Sequence, residues 1–350
     1  DVVSASADAP VHLPVVGAIG AGAADLRELP EGTAAKIMTG APVPAGADAV
    51  VPYEWTDRGA EHVRIERAPT EGQHVRRAGE DVTAGDLVLE AGTVLGPRQL
   101  GLLASLGHAR VAVRHRPRVV VLSTGSELRE PGQPLGHDSI HDGNSFLLAA
   151  AARRAGAVVY RVGIVPDQPE AFLAALEEQL VRADVVVTSG GVSMGDFDVV
   201  KAALRPLGTV WFGPVAMQPG KPQGFGHVGH ARVPIFTLPG NPVSAYLSFE
   251  LFVLPALRKM MGLTPWSRPQ VTARLTHAIT SPPGRRQLLR AHLDTTEGTV
   301  SPVGGPGSHL VGGLADADAV VVVPEDVTAL DAGASVSVLP LDTGLDGGAS

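Results

Sequence analysis

The chain of 350 residues is long enough for two or three domains with ample core. A composition of 44% hydrophobic and 18% charged residues is that of a globular protein, and a formal charge of −8 argues against a nucleic-acid binder that works by neutralising phosphates. No apolar run approaches the roughly 20 residues of a membrane span; the lack of cysteine excludes disulfides, thiolate metal sites and cysteine nucleophiles, and is compatible with a reducing, cytoplasmic location.

The chain opens at Asp1, its first methionine is Met38, and nothing before Val11 resembles a signal peptide, so residues upstream of Asp1 are expected. Strand-like runs at Val15–Val16, Ala49–Val51, Val63–Ile65 and Leu87–Leu89, separated by Gly and Pro turns about 8–12 residues apart, predict a small all-β domain over residues 1–95. Within it, Ala35 to Val51 reads as a wide turn between strands, and Arg76-Arg77-Ala78-Gly79-Glu80-Asp81 as a solvated turn with weak ion pairs. Residues 96–115 form a helical connector: Pro97 at a first helical position, a helix to Leu106, Gly107 beyond it, then Ala109–Val113 and the basic linker Arg114–Arg118.

From residue 116 to 262 strands and helices alternate. Strands at Val119–Leu122, Val158–Val165, Val185–Val187, Val210–Phe212 and Ile235–Leu238 are separated by helices at Ser145–Ala155, from Asp167-Gln168-Pro169 to Val181, and at Asp198–Leu204; a last helix runs from Val243 to Met261. This pattern predicts βαβ units and a central, largely parallel sheet with helices, an α/β fold flanked by two small β domains. Residues 263–342, with strand-like runs at Val271–Leu275, Gln287–Leu293, Val320–Val323 and Ser335–Leu339, make the second β domain, and 343–350 a disordered tail. No Gly-x-Gly-x-x-Gly and no Gly-x-x-x-x-Gly-Lys-[Ser/Thr] opens any helix, which removes ordinary Rossmann and P-loop readings.

The chain is organised around Asp184 to Asp198, where a β-branched strand breaks into Ser189-Gly190-Gly191. Two further strands end alike, in Ser123-Thr124-Gly125-Ser126-Glu127 and in Pro239-Gly240-Asn241-Pro242. In an open parallel sheet the loops beyond the carboxyl ends of the strands form the ligand crevice, so these three should line one site. They bring hydroxyls and amides suited to phosphate, and Glu127, Asp142, Asp196 and Asp198 could seat a hard cation such as Mg2+ or, for Asp142 and Asp196, merely cap helices. Lys221, one of four lysines among 28 basic residues, stands in Pro219-Gly220-Lys221-Pro222, as a rigid point charge for an oxyanion or a surface turn. Arg285, Arg286, Arg290 and Ser308-His309 add anion-binding potential, although arginines in a strand are commonly just solvated. The histidines are scattered, with no His-Glu-x-x-His, which argues against a transition-metal site.

Taken in order, Thr39-Gly40-Ala41-Pro42-Val43-Pro44, Ser123-Thr124-Gly125-Ser126-Glu127-Leu128, Asp142-Gly143-Asn144, Ser189-Gly190-Gly191-Val192-Ser193-Met194-Gly195, Pro219-Gly220-Lys221-Pro222 and Leu238-Pro239-Gly240-Asn241-Pro242-Val243-Ser244 resemble the MoeA family of molybdopterin molybdenumtransferases, related to the E domain of gephyrin. The resemblance implies the last step of molybdenum cofactor synthesis: adenylyl-molybdopterin and molybdate are bound, the metal enters the dithiolene and AMP leaves, with Mg2+ assisting. It implies that Thr124, Gly125, Glu127, Asn144, Ser189, Gly190, Gly191, Ser193, Pro239, Gly240 and Asn241 hold the pterin nucleotide, with Thr39 reaching in from the neighbouring domain. Asp142 and Asp196 would be catalytic and carry the cation, Lys221 and Ser244 would mark a molybdate pocket, and Arg290 with Ser308 a second, entry-type anion site. The sequence departs from the family where Gln218 replaces a usual Lys and Asp196 a common Glu. The family's N-terminal helical segment, with its Ser-Ala-Met-Asp-Gly-Tyr-Ala motif, would precede Asp1, and a homodimer is expected where that segment is present. Two alternatives share parts of the pattern: the preceding molybdopterin adenylyltransferase, which resembles the 118–260 block alone, and a non-catalytic gephyrin-like scaffold.

Overall fold

The computed structural model describes residues 2, 4–22, 27–191 and 198–341; Ser193, Asp196 and the expected tail lie outside them. The chain forms two compact units, residues 1–90 and 91–350.

In the first unit, β1 (Val11–Ile19) is the middle of a three-stranded sheet, parallel to β2 (Ala34–Ile37) and antiparallel to β3 (His62–Ile65). β2 falls where a wide turn was expected. The runs Ala49–Val51 and Leu87–Leu89 form no strand. Around Val50 the backbone makes only isolated bonds, from Gly72 N–H to Asp48 O (2.8 Å) and from Val50 N–H to Gln73 O (3.1 Å), with no ladder between them. The turn at Arg77 closes locally, its N–H donating to the Glu80 carboxylate (3.0 Å).

The second unit begins with α1 (Pro97–Ser105), started by Pro97 and capped by the Gln99 side chain accepting the Gly96 N–H (3.2 Å). Ala109–Val113 is not a strand. β4 (Arg118–Thr124), the short parallel pair β5 (Leu128–Arg129) and β6 (Ile140–His141), α2 (Asn144–Arg154), β7 (Val158–Val165), α3 (Pro169–Leu180) and β8 (Val185–Ser189) follow. Next come α4 (Val199–Leu204), β9 (Val210–Pro214), β10 (Met217–Gln218), β11 (Pro222–Val228), β12 (Val233–Leu238), α5 (Pro242–Ser248) and α6 (Leu254–Met261).

The central sheet has the order β7-β4-β8-β12-β11-β9; β7, β4, β8 and β12 pair in parallel, and β11 is antiparallel to both its neighbours. β11 went unread because Pro222, Gly224 and Gly226 hide its strand character. Those glycines have a reason: a Cβ on Gly224 would lie 2.0 Å from Thr237 Oγ1, and one on Gly226 2.2 Å from Thr209 O. Successive side chains of β4 point to opposite faces. Val119 and Val121 therefore pack with Leu148, Ala152, Phe249 and Leu257 of α2 and the α5–α6 segment, while Val120 and Leu122 pack with Phe172, Leu176 and Leu204 of α3 and α4. Burial on both faces is why β4 and β8 read as unbroken apolar runs. The single helix expected from Val243 to Met261 instead carries a π turn at Phe249–Val253 between α5 and α6. Pro255, without an N–H, cannot continue the α ladder there.

The rest of the chain supplies β13 (Val271–Leu275), β14 (Ile279–Thr280), β15 (Arg286–Asp294), β16 (Thr299–Pro302), α7 (Val311–Asp316), β17 (Ala319–Val323), β18 (Ala329–Leu330) and β19 (Ser335–Pro340). β15-β16-β13-β19-β17 closes on itself through the β15–β17 pairing, a small barrel around Ala291, Val300, Val321 and Val338. β10 joins it, Met217 opposite Arg286 and Gln218 opposite Gln287. The segment carrying Lys221 is thereby fixed between the central sheet and the barrel.

Candidate functional site

Parallel register puts Ser123 opposite Ser189, Leu238 opposite Ser189, and Thr124 opposite Val165, so β7, β4, β8 and β12 end side by side. Beyond these ends opens a cleft of about 500 Å3, walled by Thr124, Gly125 and Glu127 after β4, Asp167 after β7, Gly190 and Gly191 after β8, and Pro239, Gly240 and Asn241 after β12. Asp198 at the start of α4, Ser244 of α5, Gln218 to Pro222, and Arg285, Pro306 and Ser308 from the barrel complete it.

The loops are tied to one another behind the cleft. Asn144 donates through Nδ2 to Ser189 Oγ (2.8 Å) and to Gly240 O (2.6 Å), linking α2 to the ends of β8 and β12. Gly190, at φ +90°, approaches β4 so closely that a Cβ would lie 2.9 Å from Thr124 O. Its N–H is engaged by Leu238 O (3.1 Å), so this glycine serves close approach of the two loops and not amide donation to an anion. On the opposite wall the Gly220 turn is held from below, Gln223 Nε2 donating to Gly220 O (2.7 Å) and to Ser248 Oγ (2.6 Å).

Asp142 is buried, and Oδ1 accepts from Ser145 N–H (3.0 Å) at the start of α2 and from Ser123 Oγ (3.3 Å). It caps the helix, and it does not line the cleft. Its Oδ2 has no partner, and the same is true of two buried atoms on cleft residues, Thr124 Oγ1 and Asp198 Oδ2. Such atoms are costly to leave unsatisfied. Lys221 and Arg285 line the cleft with no carboxylate paired to either among the described residues, facing a lining that includes Glu127, Asp167 and Asp198.

Of the residues singled out from the sequence, Thr124, Gly125, Glu127, Gly190, Gly191, Pro239, Gly240, Asn241, Lys221, Ser244 and Ser308 line this one cleft; Asn144 and Ser189 stand behind it as ties. Ser193 and Asp196 lie outside the described residues. Thr39 is exposed in a turn after β2 of the first unit. Arg290 is not at the cleft surface: it is 3% exposed and donates to Leu310 O (2.5 Å) and to Gly305 O. Burial pushes its pKa below the usual guanidinium value. Asp167 was missed as a site residue. In the sequence it has the pattern of a helix start, yet it follows a parallel strand at the same sheet end; its Oδ2 accepts the Ser126 N–H (3.0 Å).

A largely parallel sheet ending in a polar crevice, joined to a β barrel, defines an α/β protein with its ligand site beyond the carboxyl ends of the strands. Residues 120–259 match the probable molybdopterin binding domain, residues 2–107 the MoeA N-terminal region (domain I and II), and residues 272–341 the MoeA C-terminal region (domain IV). The chain is 49% identical to molybdopterin molybdenumtransferase 2 of Mycobacterium tuberculosis, over 97% of this chain and 85% of that one. It is 37% identical to the molybdopterin molybdenumtransferase of Haemophilus influenzae, over 94% and 82%. Two solved structures of the molybdopterin biosynthesis MoeA protein from Pyrococcus horikoshii superpose with TM-scores of 0.79 and 0.69 at 34% and 28% identity, over 98% and 97% of this chain and 84% of each of theirs. The chain belongs to the MoeA family of molybdopterin molybdenumtransferases.

Proposed function

We propose that this protein inserts molybdate into adenylyl-molybdopterin with release of AMP, the final step of molybdenum cofactor synthesis. The observation that carries the reading is one cleft that combines unpartnered acceptors and hydroxyls on the sheet side with unpaired cations on the barrel side. A nucleotide with a pyrophosphate and a metal oxyanion need both sets at once.

The residues present fit a bound Mg2+. Among the described residues no cluster of three His, Cys, Asp or Glu side chains could cage a metal, but Mg2+ takes only one or two carboxylates with the substrate's phosphate oxygens. Three carboxylates facing a pyrophosphate would also repel it without a cation between them. Asp198 with its free Oδ2 in the cleft wall, and Asp142 and Asp196 by resemblance, are the residues that would hold the ion, which when bound would supply Lewis-acid polarisation of phosphate oxygens.

The chain's own groups do the rest. The Thr124 hydroxyl and Asn241 hold the nucleotide's polar edge, and the Asn144–Ser189–Gly240 ties keep the loops in register so that the phosphoanhydride is presented in one geometry. Lys221, Ser244 and Ser308 bind molybdate, and the fixed positive charge of Lys221 offsets the negative charge gathered as AMP departs. No covalent protein nucleophile is required. With a cysteine-free chain we place the reaction in the cytoplasm, and we infer a homodimer where an N-terminal segment is present; the exposed Leu100 of α1 and Leu106 just after it, with no residue of that helix buried, support a covered α1.

The test supplies adenylyl-molybdopterin, molybdate and Mg2+ to the purified protein and measures AMP. Release that requires molybdate is the expected result; consumption of ATP with molybdopterin would point instead to the adenylyltransferase. Asp198→Asn should lower Mg2+-dependent turnover at least about 100-fold at an unchanged melting temperature, and full activity in that variant would remove the carboxylate from the mechanism.

A further inference from the structure

The polar stretch that leaves β4 and returns to α2, residues 125–143, carries an acid near each end and has little apolar packing to hold it. Glu127 lines the cleft, its carboxylate folded back so far that a Cβ built on Gly125 would lie 2.6 Å from its Oε2; Asp142 closes the stretch against α2. Between them, β5 and β6 pair only at Leu128–Ile140 and Arg129–His141, outside the central sheet, and no residue of the stretch joins an apolar cluster of the core. A two-stranded pair of that size is not stable alone, so its position depends on polar bonds to its surroundings. At the cleft rim Ser126 N–H supplies one, donated to Asp167. From outside the cleft Arg161 of β7 grips the stretch. Its Nη1 and Nη2 donate to Glu130 Oε1 (2.8 Å) and Oε2 (3.0 Å), just past β5, and Nη1 also reaches Ser145 Oγ (3.3 Å), the residue whose N–H Asp142 accepts. The guanidinium carbon stands 4.1 Å from the centroid of the Phe146 ring on α2. β7 bulges here, Val121 pairing with Arg161 and Leu122 with Gly163, and a Cβ on Gly163 would come 3.3 Å from Glu130 Oε1, so the bare glycine leaves room for that carboxylate.

Resting on the molybdenumtransferase reading, we infer that Arg161, which does not itself line the cleft, is a positioning residue for the nucleotide and Mg2+ half of the site: it clasps the outgoing chain at Glu130 to the returning chain at Ser145 and so sets where Glu127 and Asp142 stand. The Glu130 hydrogen bonds, against the cost of burial, raise the Arg161 pKa above its ordinary value, and the charges of Glu130 and Asp142 add to this. A planar fork presents donors to both oxygens of Glu130 and one more to Ser145 while its face lies on Phe146; an ammonium is a point charge and cannot reproduce that set. Lys221 has a different support, since it follows β10, which pairs with β15 of the barrel. Loss of the clasp should therefore disturb the acids and leave the molybdate end in place.

The experiment uses the full chain, the AMP-release assay and hydrogen exchange of amides 126–142, with variants Arg161→Met, Arg161→Lys and Glu130→Gln. Arg161→Met should lower kcat/KM for adenylyl-molybdopterin about 10- to 100-fold and raise the half-saturating Mg2+ concentration, the scale expected when a partner behind metal-holding side chains is lost, with the molybdate KM kept within about twofold. Arg161→Lys should be as impaired as Arg161→Met. Glu130→Gln, a change of charge at nearly constant shape, should move the same quantities in the same direction, and combining it with Arg161→Met should cost no more than Arg161→Met alone, because one acts through the other. Each of these variants should speed exchange across 126–142. Arg182, stacked 4.3 Å from the Tyr160 ring on the other face of β7, is the control: Arg182→Met should change neither KM nor that exchange. Equal losses for nucleotide and molybdate, recovery by Arg161→Lys, or unchanged exchange in Arg161→Met would overturn the assignment. If the unaltered protein releases no AMP, the functional reading fails by itself, while exchange across 126–142 and calorimetry of AMP binding with and without Mg2+ still decide whether Arg161 sets the acids.

Discussion

The two ends of the central sheet use the same strands to opposite purposes. At the amino end, polar groups are matched: Asp184, just before β8, accepts from Arg118 N–H (2.8 Å), Nε (3.0 Å) and Nη2 (2.9 Å), and returns its own N–H to Arg118 O (2.8 Å). The guanidinium beside it holds the Asp184 carboxyl below the usual range. At the carboxyl end, Thr124 Oγ1, Asp142 Oδ2 and Asp198 Oδ2 are buried without partners. Between the ends run the same β-branched strands, buried on both faces. Closed polarity at one end fixes register, and open polarity at the other is left for a ligand, so mutations at the two ends should separate stability from activity.

The strongest way to break that separation is Gly190→Ala. The change meets both a left-handed backbone and the 2.9 Å approach to Thr124 O, so the ends of β4 and β8 must move apart. Misplacement on the order of 1 Å near reacting groups costs about 100-fold; AMP release should fall by that much, with the far-ultraviolet circular dichroism unchanged. Turnover within a few-fold of the parent would show that the loop ends tolerate displacement. Lys221→Ala comes next. Loss of the unpaired ammonium should raise the molybdate KM about 10-fold, or ~1.4 kcal/mol, and barely change nucleotide affinity, as calorimetry with each ligand would report. Equal losses for both would move Lys221 away from the oxyanion.

That difference between the ends also explains what could be read from the sequence. β4, β8 and β12 were legible because strands buried on both faces must be continuously apolar, and their exits were legible because Gly and Asn punctuate them. β11 was hidden because close contacts with Thr237 and Thr209 demand glycine where strands otherwise prefer β-branched residues. Asp167 was hidden by a second plausible role, starting α3. Arg290 could not be told from Arg285 by residue type; only burial and the two carbonyls distinguish an enclosed guanidinium from a half-buried one that lines the cleft. In the first unit, Ala49–Val51 had strand chemistry without a strand partner, and pairing is a tertiary fact that local pattern does not contain.

At the amino end the expected effect is on stability alone. Asp184→Asn should cost about 1 kcal/mol, the scale of a charge-assisted bond at a partly exposed site, and leave AMP turnover unchanged. Because the folded-state pKa lies below 3.8, the contribution is present above that value and is lost as pH falls through the lower folded pKa. Acid titration followed by thermal melting should therefore show the parent and the variant converging only at the acid extreme.

The smallest effect tests whether the barrel's exposed charges behave like either end. His292 has Nε2 3.2 Å from Asp316 Oδ2 and Nδ1 3.5 Å from Asp318 Oδ2, and these hydrogen bonds, Asp316 first, raise its pKa above 6.5. A raised histidine pKa stabilises the fold fully below the unfolded value and loses that contribution as pH rises through the folded one. Melting temperature should thus drift down slightly from about pH 6.5 upward, and His292→Gln should remove the drift. Since α7 ends at Asp316 and begins next to the Ser308 loop, an accompanying rise in molybdate KM over the same pH range would mean that this surface cradle is coupled to the cleft; a flat KM would keep it a purely structural contact.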